Sequence, residues 1–176
     1  HGPHGPLSSM PAIRRAAPAD LDAVWSLVGR AVAHMNAIGN PQWGADYPTR
    51  ALYAGDIDRG ELYAACSETG AILGAACLNR SESPEYASIP WQYRGEVYSI
   101  HRLAVDPAVQ RQGVATALLS FAQAFARQNH VSALHVDTYS LNHRMQALFA
   151  KQGFVRRGEI YLHGRPLPYP CFEKLL

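Results

Sequence analysis

The sequence is short of cysteine, of excess charge and of long apolar runs, and each shortage excludes something. Its three cysteines, Cys66, Cys77 and Cys171, are an odd number with no C-x-x-C among them. That pattern offers neither a zinc site nor a disulfide framework. The cysteines read as reduced thiols of a cytoplasmic protein, in packing roles. Cys66 and Cys77 are spaced so that they could instead meet across a hairpin. The formal net charge is only +2 with histidine neutral, which leaves no nucleic-acid footprint. Arg14 with Arg15, and Arg156 with Arg157, read as solvated faces. No apolar run is long enough to cross a membrane. The opening "HGPHGPLSS" lacks the charged-then-apolar order of a signal peptide. Residues 1–9 read as a tag remnant, with Met10 the natural start and His1 and His4 part of the tag rather than metal ligands. No metal is expected.

What is present describes one globular domain over residues 10–176. Apolar residues make up 48% of 176 and charged residues 17%, enough for a core and too little charge for disorder. "AIRRA" (12–16) reads as a strand. Leu21, Val24, Leu27, Val28 and Val32 then recur at helical spacing. "TRALYAGDIDRG" is a second helix ending at Gly60. "ELYAACSETGAILGAACLN" is a hairpin turning at Glu68-Thr69-Gly70. "EVYSIHRLAV" (96–105) is a long strand stopped by Pro107. Residues 112–128 carry the stripe Val114, Leu118, Phe121 and Phe125 of an amphipathic helix. "VSALHVDTY", "NHRMQALFAKQ", "FVRRGEIYL" and "YPCFEKLL" continue as strand, helix, strand, strand, with Gly153 as the C-cap of that last helix. The predicted order is β-α-α-β-β-β-α-β-α-β-β, without an internal repeat.

"QRQGVA", Gln110–Ala115, puts a glycine where Ser, Thr, Asp or Asn would better start a helix. The first amides of a helix have no partner within it, and the dipole places positive charge there. A glycine lets an anion approach those amides. Arg111 adds charge suited to a phosphate. A plain tight turn would look the same, so the flanking residues decide.

"HRLAVDPAVQRQGVATALL" followed by "LNHRMQALFAKQGF" resembles the GNAT family, the Gcn5-related N-acetyltransferases, and within it a bacterial subgroup of unassigned substrate. Gln110, Gly113 and Ala115 fill that family's phosphate loop, Q/R-x-x-G-x-G/A. Asn142, Met145, Leu148, Gly153 and Phe154 fill its second block. Two blocks in register are far more specific than one. The resemblance implies an α+β fold: a mixed, mostly antiparallel sheet of about seven strands, flanked by four helices and splayed between strands 4 and 5. It implies acetyl-CoA as cosubstrate and an amine acceptor, either a small molecule or a protein N-terminus or lysine. A homodimer is compatible with it.

The resemblance also assigns residues. The backbone of Leu103, Ala104 and Val105 would meet pantetheine. Arg111 and the amides of Gln112, Gly113, Val114, Ala115 and Thr116 would hold the pyrophosphate. Asn142 would orient the cofactor arm, cap the following helix, or do both. Val97, Ser99, His101, Leu103 and Val105 alternate onto one strand face. His101 suits a general base at neutral pH, although a packed histidine would look the same. Glu96 is the second base candidate, through water. The family usually places a tyrosine ahead of the Gly-Phe pair as proton donor to the leaving sulfur. Phe149 stands there, able to pack on the cofactor arm but without a hydroxyl; Tyr139 and Tyr161 are the available substitutes. Trp43, Tyr47 and Trp91, in the irregular segments, would line the acceptor pocket. The leading reading is an acetyltransferase acting by direct transfer. The rival, favoured by Phe149, is an acyl-CoA-binding module without efficient catalysis.

Overall fold

The computed structural model describes residues 10–176, so the tag reading of residues 1–9 lies outside it. Seven strands and four helices follow the expected order: β1 (Ala12–Arg15), α1 (Leu21–Ala37), α2 (Arg50–Asp58), β2 (Leu62–Cys66), β3 (Ile72–Asn79), β4 (Tyr98–Val105), α3 (Val114–Gln128), β5 (Ala133–Asp137), α4 (His143–Lys151), β6 (Val155–Ile160) and β7 (Tyr169–Leu175). The strands form one sheet in the order β1-β2-β3-β4-β5-β7-β6. Only β4 and β5 run parallel; α3 makes the crossover that a parallel pair requires.

The helices cover both faces. Val114, Leu118, Leu119 and Ala122 of α3 pack on one face with Tyr98, Ile100, Leu134 and Phe149. Val24, Leu27 and Val28 of α1 and Tyr53 and Ile57 of α2 pack on the other, against Leu62, Ala75 and Cys77. A smaller cluster joins Tyr86 and Trp91 of the loop between β3 and β4 to Tyr139 and Tyr169. All three cysteines are buried free thiols. Cys77 pairs with Leu62 and Cys66 with Ile72, so the two cysteines sit at opposite ends of their hairpin rather than face to face.

The sheet opens at its centre. β4 and β5 pair only at Tyr98–Leu134, Ser99–His135 and Ile100–Val136. Beyond them β4 stays with β3 and leaves β5. The register on that side slips between Ala75–Ala104 and Cys77–His101, setting Arg102 and Leu103 against a single residue of β3. This is a β-bulge. Arg102 takes φ of +50° there, costly for a side chain bearing Cβ. Helix α2 holds it in place. The Arg102 guanidinium donates twice to Asp56, at 2.7 and 2.9 Å, and the Tyr53 hydroxyl donates to its carbonyl at 3.1 Å.

The bulge corrects the expected alternation. Ser99 and His101 stay on the α1–α2 face, but Leu103 and Val105 pack with the α3 cluster while Ala104 joins the opposite one. One extra residue reverses every side chain after it.

Candidate active site

The opening between β4 and β5 is a cavity of about 510 Å³. His101, Arg102 and Leu103 line it from β4, Asp137 and Thr138 from β5, and Asn142, Met145 and Phe149 from α4. Trp43 and Tyr47 reach it from the α1–α2 loop, Tyr86 from the β3–β4 loop, and His163 and Tyr169 from the β6–β7 segment.

His101 sits half-buried at the bulge. Its Nε2 lies 2.8 Å from Asn79 Oδ1. That oxygen also accepts from the Ser81 amide at 3.0 Å, while Asn79 Nδ2 donates to Glu61 at 3.2 Å. The backbone donor fixes which way the amide points, so Nε2 carries the proton and Nδ1 keeps its lone pair. Burial, then the charge of Arg102, lower the imidazole pKa below its usual 6.5, against a weaker backbone contact with Ser81. His101 is therefore neutral at pH 7.

Asp137 faces the same space from the end of β5. It accepts a hydrogen bond from the Tyr86 hydroxyl. Burial raises its pKa to about 6, partly offset by that hydrogen bond. Beside it, Glu82 accepts from Ser99 at 2.8 Å and meets His135 Nδ1 at 2.7 Å. Burial works against the charge of Glu82, but those two hydrogen bonds prevail and lower its pKa. His135 Nε2 meets Glu173 at 3.0 Å, and Glu173 also accepts from Arg157 at 2.8 Å and from the amides of Gln92 and Tyr93.

At the far end of β4, Gly113 takes φ of +84° and Arg111 φ of +65°, and no side chain caps α3. Thr49 caps α2 and Asn142 caps α4, each with a side-chain hydrogen bond. The start of α3 thus presents uncapped amides behind a loop of alternating handedness, the form of an anion nest.

A family model for the acetyltransferase (GNAT) family matches residues 31–154. The chain belongs to the GNAT acetyltransferase family. Solved GNAT structures share its fold. A GNAT acetyltransferase from Streptococcus agalactiae is 23% identical, with a TM-score of 0.82 over 97% of each chain. One from Listeria monocytogenes is 20% identical, with a TM-score of 0.74 over 94% of each chain. Ard1 from Thermoplasma volcanium is 16% identical, with a TM-score of 0.72, covering 94% of this chain and 97% of that one. No curated protein matches the chain significantly in sequence. No helix among the described residues is long and apolar enough to cross a membrane.

The family's acetyl-CoA fits the residues present. Past Ile100 the β5-facing edge of β4 has no strand partner, which leaves Leu103, Ala104 and Val105 able to pair with an extended amide-bearing arm. The uncapped start of α3 suits a pyrophosphate. Gln110 also contacts α4 here, accepting from Arg144 at 2.6 Å. Asn142 does two things at once. Its oxygen caps α4 through the Met145 amide at 3.1 Å, and its nitrogen donates to Gln42 at 3.0 Å.

Four expected residues lie elsewhere. Glu96 precedes β4, is mostly exposed and pairs with Arg80 at 3.0 Å, away from the cavity. Trp91 stacks on His135 at 3.5 Å and donates to the Tyr86 carbonyl at 3.0 Å, so its ring covers the buried histidine instead of lining the pocket. Tyr139 is fully buried, its hydroxyl accepting from the Leu167 amide, and Tyr161 is exposed; neither lines the cavity. Sequence reasoning missed Asp137, Glu82 and Tyr86. The signal for Asp137 was an acidic residue closing an apolar strand, "ALHVD", ahead of the Asn142 block.

Proposed function

We propose that the protein is an N-acetyltransferase moving an acetyl group from acetyl-CoA to an amine in a ternary complex. The observation that carries this reading is the gap between β4 and β5, with neutral His101 inside it and an uncapped helix start at its end. The β4 edge at Leu103–Val105 and the amides at Gly113–Thr116 would hold the cosubstrate, which supplies an activated acyl carbon. The amine must lose a proton to attack, and His101 Nδ1 is the acceptor for it. The Phe149 ring, 2% exposed and packed on Phe154 and Phe172, bounds the cavity without offering a proton. A thiol of pKa about 8.5 leaves tolerably as thiolate, so an acid at that position is dispensable.

Phe149 also favours a second reading, a module that binds acyl-CoA without turnover. Free-thiol release from acetyl-CoA over a panel of amines separates the two. Amine-dependent release supports the enzyme. Tight acetyl-CoA binding with no release above the amine-free rate supports the module.

A further inference from the structure

The charges around the cavity single out one chemical class of acceptor. Five side chains lining it carry a carboxyl or guanidinium group: Arg59, Glu61, Glu82, Arg102 and Asp137. Arg102 is paired with Asp56, and Arg59 with Asp56 and Glu61 at 2.9 Å each. Glu82 takes part in hydrogen bonds with Ser99 and His135. Asp137 differs. Its contacts among the described residues are a phenol hydrogen bond and burial, with no cation against it. A half-buried carboxylate without a cation is costly, and a ligand ammonium would relieve that cost. The other two lining carboxylates already have polar partners, Glu61 in Arg59 and Glu82 in Ser99 and His135. Neither arginine there is free to meet a substrate carboxylate. His163, whose pKa burial lowers below the usual 6.5, offers no cation either.

The walls near Asp137 are aromatic, with Tyr86, Tyr169, Trp43 and the Tyr47 ring stacked on His163 at 3.6 Å. Such walls suit an apolar body carrying a cationic head. The side above them is strapped shut. Arg165, from the β6–β7 segment, donates to the Pro41 and Gln42 carbonyls at 3.1 Å and twice to Asp46 at 2.7 and 2.9 Å. The Tyr169 hydroxyl adds a hydrogen bond to the Gln42 carbonyl at 3.3 Å. The α1–α2 loop and the β6–β7 segment are therefore joined to each other, so a polypeptide could not pass between them without breaking these bonds.

We propose that the acceptor is a small primary monoamine with an apolar or aromatic body, its ammonium held by Asp137, and not an amino acid, a polyamine or a polypeptide. This rests on the acetyltransferase reading and narrows it. The test compares phenethylamine with phenylalanine, spermidine and a short peptide with a free N-terminus. Each is given to wild-type protein and to Asp137→Asn, with acetyl-CoA binding measured by calorimetry on both. Phenethylamine is expected to exceed the other three in kcat/KM by about tenfold or more. Asp137→Asn is expected to raise its KM by about as much and leave the acetyl-CoA Kd unchanged. Phenethylamine binding without cosubstrate, also by calorimetry, should weaken in the same variant. Equal or better use of any of the other three, no binding or use of phenethylamine, or an unchanged response in Asp137→Asn overturns the proposal. Failure of acetyl-CoA to bind would instead overturn the acetyltransferase reading, while the calorimetric comparison of phenethylamine still decides this one.

Discussion

His101 and His135 stand on the two strands that border the gap, one row of the sheet apart, and they are surrounded quite differently. His135 is 2% exposed, lies under the Trp91 ring and has a carboxylate at each ring nitrogen. Both nitrogens are engaged, and the contacts draw Glu82 and Trp91, near the two ends of the β3–β4 loop, onto one imidazole. His101 has a neutral amide on one nitrogen, held in orientation by a backbone N–H, no carboxylate among the described residues hydrogen-bonded to its ring, and a place in the cavity lining. A histidine between two carboxylates holds structure together. A histidine with one neutral partner is free to exchange a proton. Residue type alone does not separate the two; the groups across the sheet do.

Four substitutions test this contrast, taken from the largest expected effect to the smallest. His135→Leu should cost about 3–5 kcal/mol, because it strips the imidazole from a fully buried Glu173 and from Glu82. Urea unfolding with the m-value checked gives the number. A loss below about 1 kcal/mol would mean that the row does not hold the loop.

His101→Ala should do the opposite, lowering kcat/KM by about a hundredfold or more with little loss of stability. The base must be neutral to work, and its pKa lies below 6.5, so wild-type kcat should fall as pH drops through that lowered value. The profile is best read at saturating acceptor, where bound amine holds the ionisation of Asp137. The variant should lose this limb. A wild-type rate and profile in folded His101→Ala would make both histidines structural.

Gly113→Asp should weaken acetyl-CoA binding by about tenfold or more, since it sets a carboxylate and a strained left-handed φ at the anion nest. The pH limb of the remaining activity should stay with His101. Unchanged affinity by calorimetry would remove the nest from cosubstrate binding.

The stability change of Asp137→Asn is the smallest shift to be read, and its sign is informative. The folded pKa is raised to about 6 from 3.8, so this carboxyl favours the fold most below pH 4, and that contribution is lost as pH rises through 6. The amide escapes the cost of burying a charge. The variant should therefore be more stable than wild type at pH 8, on the order of 1 kcal/mol, with the gain gone at pH 4. A stable protein that handles amines poorly would mark Asp137 as a residue kept for function.

Much of the fold is legible in the sequence alone. Element order follows from apolar period, turn residues and caps, each written within a few neighbouring positions, as with the Val114–Leu118 stripe and the Asn142 cap. The glycine at the start of α3 is readable for the same reason, because its αL conformation and the missing cap are local properties. His101 can be named from sequence, but not distinguished from a packed histidine, since its partner Asn79 is 22 residues away on another strand. Glu96 and Trp91 are plausible by position along the chain and are carried out of the cavity by partners at Arg80 and His135.

By itself, then, the sequence determined the α+β order, the membership of its two motif blocks in one family, and the glycine turn that starts α3 without a cap, because all three are written in near neighbours along the chain. Only the tertiary structure decided which side chains share the cavity. The bulge at Arg102, held by Asp56 46 residues away, reversed Leu103 and Val105 and opened β4 from β5. The strap from Arg165 to Asp46 spans 119 residues, and the Tyr86–Asp137 hydrogen bond spans 51. Such pairings depend on strand register and loop path, which no local pattern encodes, and they set the charge and shape that an acceptor meets.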